Sequence, residues 1–543
     1  MTTFPEAFNL VDYLLMDRLG DGKGDCVAVR FGDRSHTFEE VARKSSAFMN
    51  ALFAAGVRRG ERVLIVIHDM PPFVWSIMGT LARGAVVAMG NPDAPIENIR
   101  YLVEYTRATA LVTHPGIAEG LVSQIRSGAL ASELQRIFVV PDVATGEDSE
   151  GAVNVVDDPL VVSLTRALGE APEHARPNVH RDEPAMWLFT SGSTGEPKAN
   201  IHSHRDFAYN TEVYAKKTVG YREGDVSVSV PRLFFGYATG TNLFFPFAVG
   251  GTSCLFSERP TPESVARAVA MYRPTVVTNV PTMIGKLLDH DETLRAEGKE
   301  GLDWSSVRFS LSAGEALPEA LLQRWQARYD SDIYDGIGSA EMFHIYASNR
   351  PGDIRPGSLG KVVDGYELRV LPEDADGPGA TPCASGDIGV LWVKGDSVSH
   401  GYWLDRDRSW KTFHGHWCRT GDLFHVDESG YLYFAGRADD LLKVGGQWVA
   451  PLEVEACLMR HESVASVAVI GVEQEGLLKT KAFVVLRPGF AANDGLAHQL
   501  QEWARARLAK YKYPRVIEFV VDLPKNDRGK IDKKALRARE LQA

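Results

Sequence analysis

Met186-Trp-Leu-Phe-Thr-Ser-Gly-Ser-Thr-Gly-Glu-Pro-Lys198 runs from an apolar start through a glycine- and hydroxyl-rich loop to a lysine. Ala185 to Phe189 has the length and composition of a short buried strand, and that strand empties into the loop. Such a loop suits phosphate. Gly192 and Gly195 let backbone N–H groups turn inward where a Cβ would obstruct them, Thr190, Ser191, Ser193 and Thr194 add donors, and Lys198 adds a fixed positive charge. The competing reading is a Ser/Gly surface turn, against which the density of the run after an apolar strand argues. The loop is not a Walker A motif, because Glu196 and Pro197 separate Gly195 from Lys198.

Outward from this stretch the chain reads as globular. Its 543 residues, 44% hydrophobic and 24% charged, suffice for more than one core, so two or more domains are expected. A formal net charge of −12 argues against nucleic acid as a partner and leaves anionic ligands to local donors. Five cysteines without paired spacing suggest neither zinc nor a disulfide framework, and fit a reducing cytosol. No run of about 18 apolar residues occurs, so no membrane-spanning helix is expected. Met1 to Leu19 carries Glu6 and Asp12, lacks a basic leader and reads as an amphipathic docking helix rather than a secretory signal.

In chain order, a capping box at Thr37 and Glu40 opens a helix with Phe38, Val41, Ser45, Phe48 and Leu52 at helical spacing. Arg62 to Ile67, Ala85 to Met89 and Ala110 to Thr113 read as continuous apolar strands, with an apolar segment from Phe73 to Leu81 and a helix near Ile96 to Tyr105 between them. This alternation predicts parallel sheet buried on both faces. Gly146 to Asp182 reads as a surface connection. Further α/β pairs follow: helices at His204 to Lys217, Pro262 to Tyr272 and Pro318 to Tyr329, strands at Val226 to Val230, Thr275 to Asn279 and Ser331 to Tyr334. Beyond about Asp364 short alternating strands predict a β-rich subdomain. Past Gly436 the pattern becomes a compact α+β unit of about one hundred residues, an ordinary domain size.

Five motifs in order resemble the adenylate-forming superfamily of acyl-CoA synthetases, luciferases and peptide-synthetase adenylation domains: Thr190 to Lys198, Tyr334 to Glu341, Arg419-Thr-Gly-Asp422, Gly436-Arg-Ala-Asp-Asp440 and Pro524 to Lys530. The resemblance covers nearly the whole chain. It implies an α/β fold: a large N-terminal adenylation domain of α/β subdomains plus the β-rich subdomain over residues 1–438, then a small mobile α+β domain over 439–543. It also implies ATP, Mg²⁺ and CoA as cofactors, and a two-step reaction in which a carboxylate and ATP give acyl-AMP before a thiol displaces AMP.

The resemblance assigns roles residue by residue. Glu341 would hold Mg²⁺, although a lone carboxylate in such a turn is usually just solvated. Tyr334, Asp335 and Gly336 would lie beside adenine, with Ser312-Ala-Gly-Glu315, and so Gly314 and Glu315, as the other wall. The family usually has Thr where this chain has Ala340, which removes one hydroxyl from the phosphate site. Asp422 and Arg437 would bind the ribose hydroxyls; taken alone, Asp422 reads as a turn cap. Asp439 matches the hinge, Lys530 the catalytic lysine, and Gly445 and Gly446 would line a tunnel for the pantetheine arm of CoA. From Gln501 to Ala543 twelve Lys/Arg face six Asp/Glu, which suits CoA phosphates or an ordinary basic surface.

The acid pocket is expected from Phe234 to Thr239, including Phe235, Tyr237 and Ala238, with Ala313, Gly314, Gly336, Ile337, Gly338 and His344. Small walls and aromatics at one end describe a short flat slot. No carboxylate follows Phe235 to pair with an α-ammonium, and Phe-Phe-Gly-Tyr-Ala-Thr-Gly with Asp335 to Ile345 most resembles benzoate- and 2-aminobenzoate-CoA ligases. The expected activity is therefore an AMP-forming aryl-CoA ligase acting on a small aromatic acid. The alternative is an aryl-acid adenylation enzyme that loads a carrier protein; a homodimer is compatible with either.

Overall fold

The computed structural model describes residues 3–142, 153, 156–191, 196–440, 442–444, 447–474, 477–524 and 531–542. The chain forms two compact units, Met1–Leu368 with Val393–Cys418, and Arg369–Trp392 with Arg419–Ala543. The division expected at 438/439 falls inside the second unit. Among the described residues no helix is long and apolar enough to cross a membrane.

Two sheets organise the first unit. One has seven strands in the order Val161–Ser163, Arg136–Val139, Ala110–Thr113, Arg62–Val66, Val86–Met89, Pro184–Ser191, Pro197–Ser203. All neighbours are parallel except the last pair. The continuous apolar strands are buried as read: Leu64, Val66, Ala88, Leu111 and Ile137 pack under Ile99, Leu102 and Val103 of the helix Ile96–Thr106 and Leu121 of Pro115–Arg126. The apolar segment from Phe73 is a helix, Pro71–Ala82, buried along its whole length.

The other sheet has nine strands, with Val27–Phe31, Thr252–Leu255, Val226–Ser229, Val276–Asn279, Phe309–Ser312 and Asp332–Gly338 as its parallel core. Antiparallel strands finish both edges: Arg34–Thr37 on one side, Ile345–Ser348 and Lys361–Val362 on the other. The helices Pro262–Tyr272, Pro281–Ala296 and Glu319–Tyr329 cover one face through Val265, Val269, Ile284, Leu287 and Trp325. The capping box is present in both directions: Thr37 Oγ1 accepts from Glu40 N–H and Glu40 Oε2 accepts from Thr37 N–H, each at 3.2 Å.

Three expectations change. The N-terminal segment is helical only from Leu10; before it, Phe8 N–H donates to the Val179 carbonyl and Arg181 N–H to that of Glu6, so Ala7 forms an isolated antiparallel bridge with His180. Within the stretch read as a surface connection, Val161–Ser163 is an edge strand and Leu164–Glu170 a helix, because Val161 and Leu164 find buried places although the run is too short to show a period. The helix from His204 continues as a π-helical turn, Thr211–Val219.

In the second unit, Trp417–Val426 pairs antiparallel with Leu432–Arg437, as part of a five-stranded sheet. Beyond them lie a two-stranded ribbon, Leu442–Val444 with Gln447–Val449, and a three-stranded sheet, Val464–Gln474, Leu477–Leu486 and Val516–Phe519. The helices Pro451–Met459 and Asp494–Arg505 close that sheet over Val454, Leu458, Val467, Val469, Val484 and Leu500.

Candidate active site

The stretch that opened the sequence is a hairpin. Thr190 pairs with Lys198 and Ser191 with Pro197, so the strands on either side of residues 192–195 are antiparallel neighbours. Gly192, Ser193, Thr194 and Gly195 lie outside the described residues. On the return strand, alternation places Lys198, Asn200 and His202 on one face, and all three are buried. Among the described residues Lys198 Nζ has no hydrogen-bond partner, and its nearest acid is Asp405 Oδ2 at 3.9 Å. A buried ammonium without acceptors is costly, and a phosphate oxygen at the adjoining loop would supply both charge and acceptor.

Glu341 sits in a short turn, Ala340–Met342, that follows the strand Asp332–Gly338. It is held from two sides. Tyr402 O–H donates to Glu341 Oε1 at 2.8 Å; burial, reinforced by this carboxylate, drives the phenol pKa far up and keeps it a donor. His202 Nε2 lies 2.6 Å from the Ala340 carbonyl; since a carbonyl only accepts, Nε2 carries the hydrogen. Glu341 Oε2 takes no hydrogen bond among the described residues. One tethered and one open oxygen fit Mg²⁺, which takes one or two carboxylates together with phosphate oxygens. Bound there, the ion would neutralise phosphate charge.

The two expected adenine walls come from adjacent parallel strands, with Ser312 in register with Asp335. Ala313 is buried, Gly314 has φ +91°, and Glu315 Oε2 accepts from Thr282 Oγ1 at 2.8 Å. Tyr334 packs with its ring centroid 5.1 Å from that of Phe309, and burial pushes its hydroxyl up to about 12. Asp335 is buried, its Oδ2 accepts from Leu317 N–H at 3.1 Å, and burial raises the carboxyl to about 7. A Cβ on Gly336 would stand 2.8 Å from the Ala347 carbonyl oxygen, and one on Gly338 would stand 2.5 Å from that of His344. These glycines are required by the antiparallel return strand, whatever ligand borders them.

The expected acid-pocket segment is anchored from below. Leu233 N–H donates to Asp69 Oδ1 at 3.0 Å, Arg232 Nη1 lies 3.9 Å from Asp69 Oδ2, and burial raises Asp69 to about 6. Phe235 then caps the short helix Gly236–Thr239, which carries Tyr237 and the buried Ala238. Opposite, Phe343 adopts φ +68°, and His344 N–H bonds back to the Met342 carbonyl at 2.9 Å. That strained tight turn delivers His344 to Tyr237, whose carbonyl accepts from Nε2 at 3.0 Å. Burial depresses the imidazole to about 4, so the ring is neutral and Nδ1 is a bare acceptor. Among the described residues neither His344 Nδ1 nor Tyr237 Oη has a hydrogen-bond partner, and Tyr214, Tyr237 and Phe245 surround the imidazole at centroid distances of 5.5, 5.3 and 4.8 Å. Ile337 is half-buried in the strand between its two glycines.

In the second unit, Asp422 and Arg437 are register partners, with Arg437 Nη1 2.9 Å from Asp422 Oδ1. Gly421 and Gly436 beside them have φ +73° and +130°. Asp439 falls in the short turn Ala438–Asp440, while Gly445, Gly446 and Lys530 lie outside the described residues.

Sequence reasoning missed Asp69, Arg232, His202, Asp206 and Tyr402. Only the Lys-x-Asn-x-His alternation after the loop hinted at them, as polar residues on the buried face of a strand. Elsewhere, His68, His114 and Asp142 offer ligand atoms within 4.8 Å of one another. His114 Nε2, however, already accepts from His68 N–H at 3.1 Å, and His68 Nε2 continues to Asp93 Oδ1 at 3.0 Å, so the cluster is a hydrogen-bonded chain rather than an open cation site.

Two family models match: AMP-binding enzyme over residues 17–403 and AMP-binding enzyme C-terminal domain over 453–530. A benzoate–CoA ligase of Thauera aromatica is 38% identical over 98% of this chain and 96% of its own. An anthranilate–CoA ligase of Pseudomonas aeruginosa is 34% identical over 89% of this chain and 87% of its own. Among solved structures, the anthranilate CoA ligase AuaEII in complex with anthranoyl-AMP superposes with a TM-score of 0.88 at 34% identity, covering 99% of this chain and 98% of that one. A phosphate-loop hairpin, an acidic turn and a paired Asp–Arg, in a chain matched almost end to end, place this protein in the AMP-binding enzyme family, in its aryl-CoA ligase branch.

Proposed function

We propose that the protein activates benzoate or 2-aminobenzoate with ATP, forms the aryl-AMP and transfers the acyl group to CoA, releasing AMP and pyrophosphate. One observation carries the choice of acid: among the described residues, Tyr237 Oη and His344 Nδ1 are buried without hydrogen-bond partners inside an aromatic shell. A planar ring fills such a shell, and the bare acceptor Nδ1 suits a donor on that ring, as in an arylamine. Lys198 would meet the phosphates, and Glu341 the Mg²⁺ that accompanies them. Asp422 and Arg437 would take the ribose, and Lys530 would contact the reacting carboxylate and α-phosphate. Asp439 would serve as hinge for the small domain over 439–543, with Gly445 and Gly446 leaving room for pantetheine.

The five thiols are free and share no pairing, which supports a reducing cytosol as the working compartment. Free CoA is the proposed acceptor. The test is ATP- and CoA-dependent thioester formation with benzoate, 2-aminobenzoate and hexanoate. The aromatic acids should give the higher kcat/KM; one methylene shifts discrimination by only about 1–3 kcal/mol, so related benzoates should react too. Preference for hexanoate would overturn the proposal, and aryl-AMP formation without thioester would point to a carrier protein as acceptor.

A further inference from the structure

The turn that bears Glu341 has no side-chain hydroxyl at Ala340, and a buried histidine grips that same residue through its backbone. His202 is fully buried on the return strand of the phosphate-loop hairpin, with Nε2 at 2.6 Å from the Ala340 carbonyl. Its other nitrogen is fixed: Nδ1 lies 3.1 Å from Asp206 Oδ2. Asp206 is itself immobilised, accepting from Ser203 N–H at 2.9 Å and Ser203 Oγ at 2.6 Å as the third residue of the helix His204–Asn210, in a capping box with the N-cap Ser203. The ring is wedged between Phe207 and Phe343, at 5.7 and 6.5 Å. The same strand is bordered by the segment that carries Tyr402: Ile201 N–H donates to the Gly401 carbonyl at 3.1 Å and Trp403 N–H to that of Ala199 at 2.9 Å. One strand thus starts at the phosphate loop and reaches the Glu341 turn through His202.

We infer that His202, oriented by Asp206, is a positioning residue for the adenylation half-reaction, fixing the Ala340 carbonyl so that Glu341 meets the metal–ATP complex. The inference rests on the reading of Glu341 given above. A carbonyl held by a ring with no free rotamer cannot drift, so the carboxylate one residue on keeps its place before ligand arrives.

Two amides separate this role from simple packing. In His202→Asn the amide nitrogen occupies the place of Nδ1, keeping Asp206 but falling short of Ala340; in His202→Gln it reaches the place of Nε2. Both bury a polar amide of similar kind, so comparing them cancels most of any folding cost. For His202→Asn, KM for ATP in acid-dependent pyrophosphate exchange should rise about tenfold, the scale of one lost hydrogen bond to a positioned group. His202→Gln should recover most of that loss, and thiolysis of supplied aryl-AMP should be unchanged in both. A second readout is binding: with Mn²⁺ in place of Mg²⁺, titration of the free-ion EPR signal in the presence of ATP should show about tenfold weaker metal–ATP affinity for His202→Asn only. Equal effects of the two amides, or equal loss of exchange and thiolysis, would overturn the inference. Glu341→Gln serves as control: if it leaves metal–ATP binding and exchange intact, the reading of Glu341 fails, and the inference with it, whereas a defective Glu341→Gln beside a normal His202→Asn overturns the inference alone.

Discussion

Lys198 and Asp335 are both buried ionisable groups, and they should respond to replacement by a neutral side chain in different ways. Among the described residues Lys198 has no hydrogen-bond partner and meets its nearest acid only at 3.9 Å, so the folded protein gains little from its charge. Lys198→Met keeps the length and removes the desolvated ammonium; thermal stability should hold or rise while acid-dependent pyrophosphate exchange falls by about 10²–10³, the range typical of one electrostatic contact to a reacting group. A drop in Tm with normal exchange would make the lysine a structural partner of Asp405. Asp335 has its pKa raised to about 7 by burial. Above the unfolded value of about 4 the unfolded chain ionises while the folded carboxyl stays protonated, so this group subtracts stability progressively between pH 4 and 7 and then levels off. Asp335→Asn keeps an acceptor for Leu317 N–H and abolishes that titration. Its melting temperature should gain on wild type as pH rises from 4.5 to 8, by an amount worth up to about 4 kcal/mol. A pH-independent difference would show that the carboxyl does not titrate in that window.

Elements show where the sequence was legible. The capping box at Thr37, the parallel apolar strands and the amphipathic helices carried their own signals and stand where periodicity put them. The phosphate-loop strand was legible because composition changes abruptly at Thr190. The strand Val161–Ser163 was not, since three residues hold no period and its burial depends on a neighbour, Arg136–Val139, distant in sequence. For the same reason the anchors of the site, Asp69 under Leu233 and Tyr402 on Glu341, leave no local trace: each is defined by a contact across more than 60 residues of chain. Gly336 and Gly338 read as small walls of an acid slot, and the return strand Ile345–Ser348 gives them a further necessity. Gly338→Ala would press a methyl to 2.5 Å from the His344 carbonyl oxygen and 2.8 Å from Ile345 N, both backbone atoms that cannot rotate away. Denaturant unfolding should show a loss of about 1–3 kcal/mol, with KM for the aryl acid rising because His344 moves with its backbone. Unchanged stability would mean that the edge pairing yields at no cost.

At the scale of the whole molecule the first change of sequence texture, at about Asp364, lies within a few residues of Leu368, where the first stretch of the first unit ends, whereas 438/439 is the proposed functional division. Glu341 and Lys198 belong to the first unit; Asp422 and Arg437 belong to the second. The two halves of the proposed reaction can call on different residues, and Lys530 tests that. As a carboxylate attacks the α-phosphate, negative charge gathers on the phosphoryl oxygens, and an ammonium that contacts both reactants aligns them and stabilises that charge. Lys530→Ala should therefore slow adenylation by at least about 10²–10³. Thiol attack on aryl-AMP leaves no such task, since AMP departs carrying its charge and the acyl carbon is already activated. The same variant, supplied with synthetic aryl-AMP and CoA, should form thioester near the wild-type rate, measured by quenched flow on the single step. A parallel collapse of both halves would place Lys530 in the site throughout the cycle and remove the reason for a hinge at Asp439.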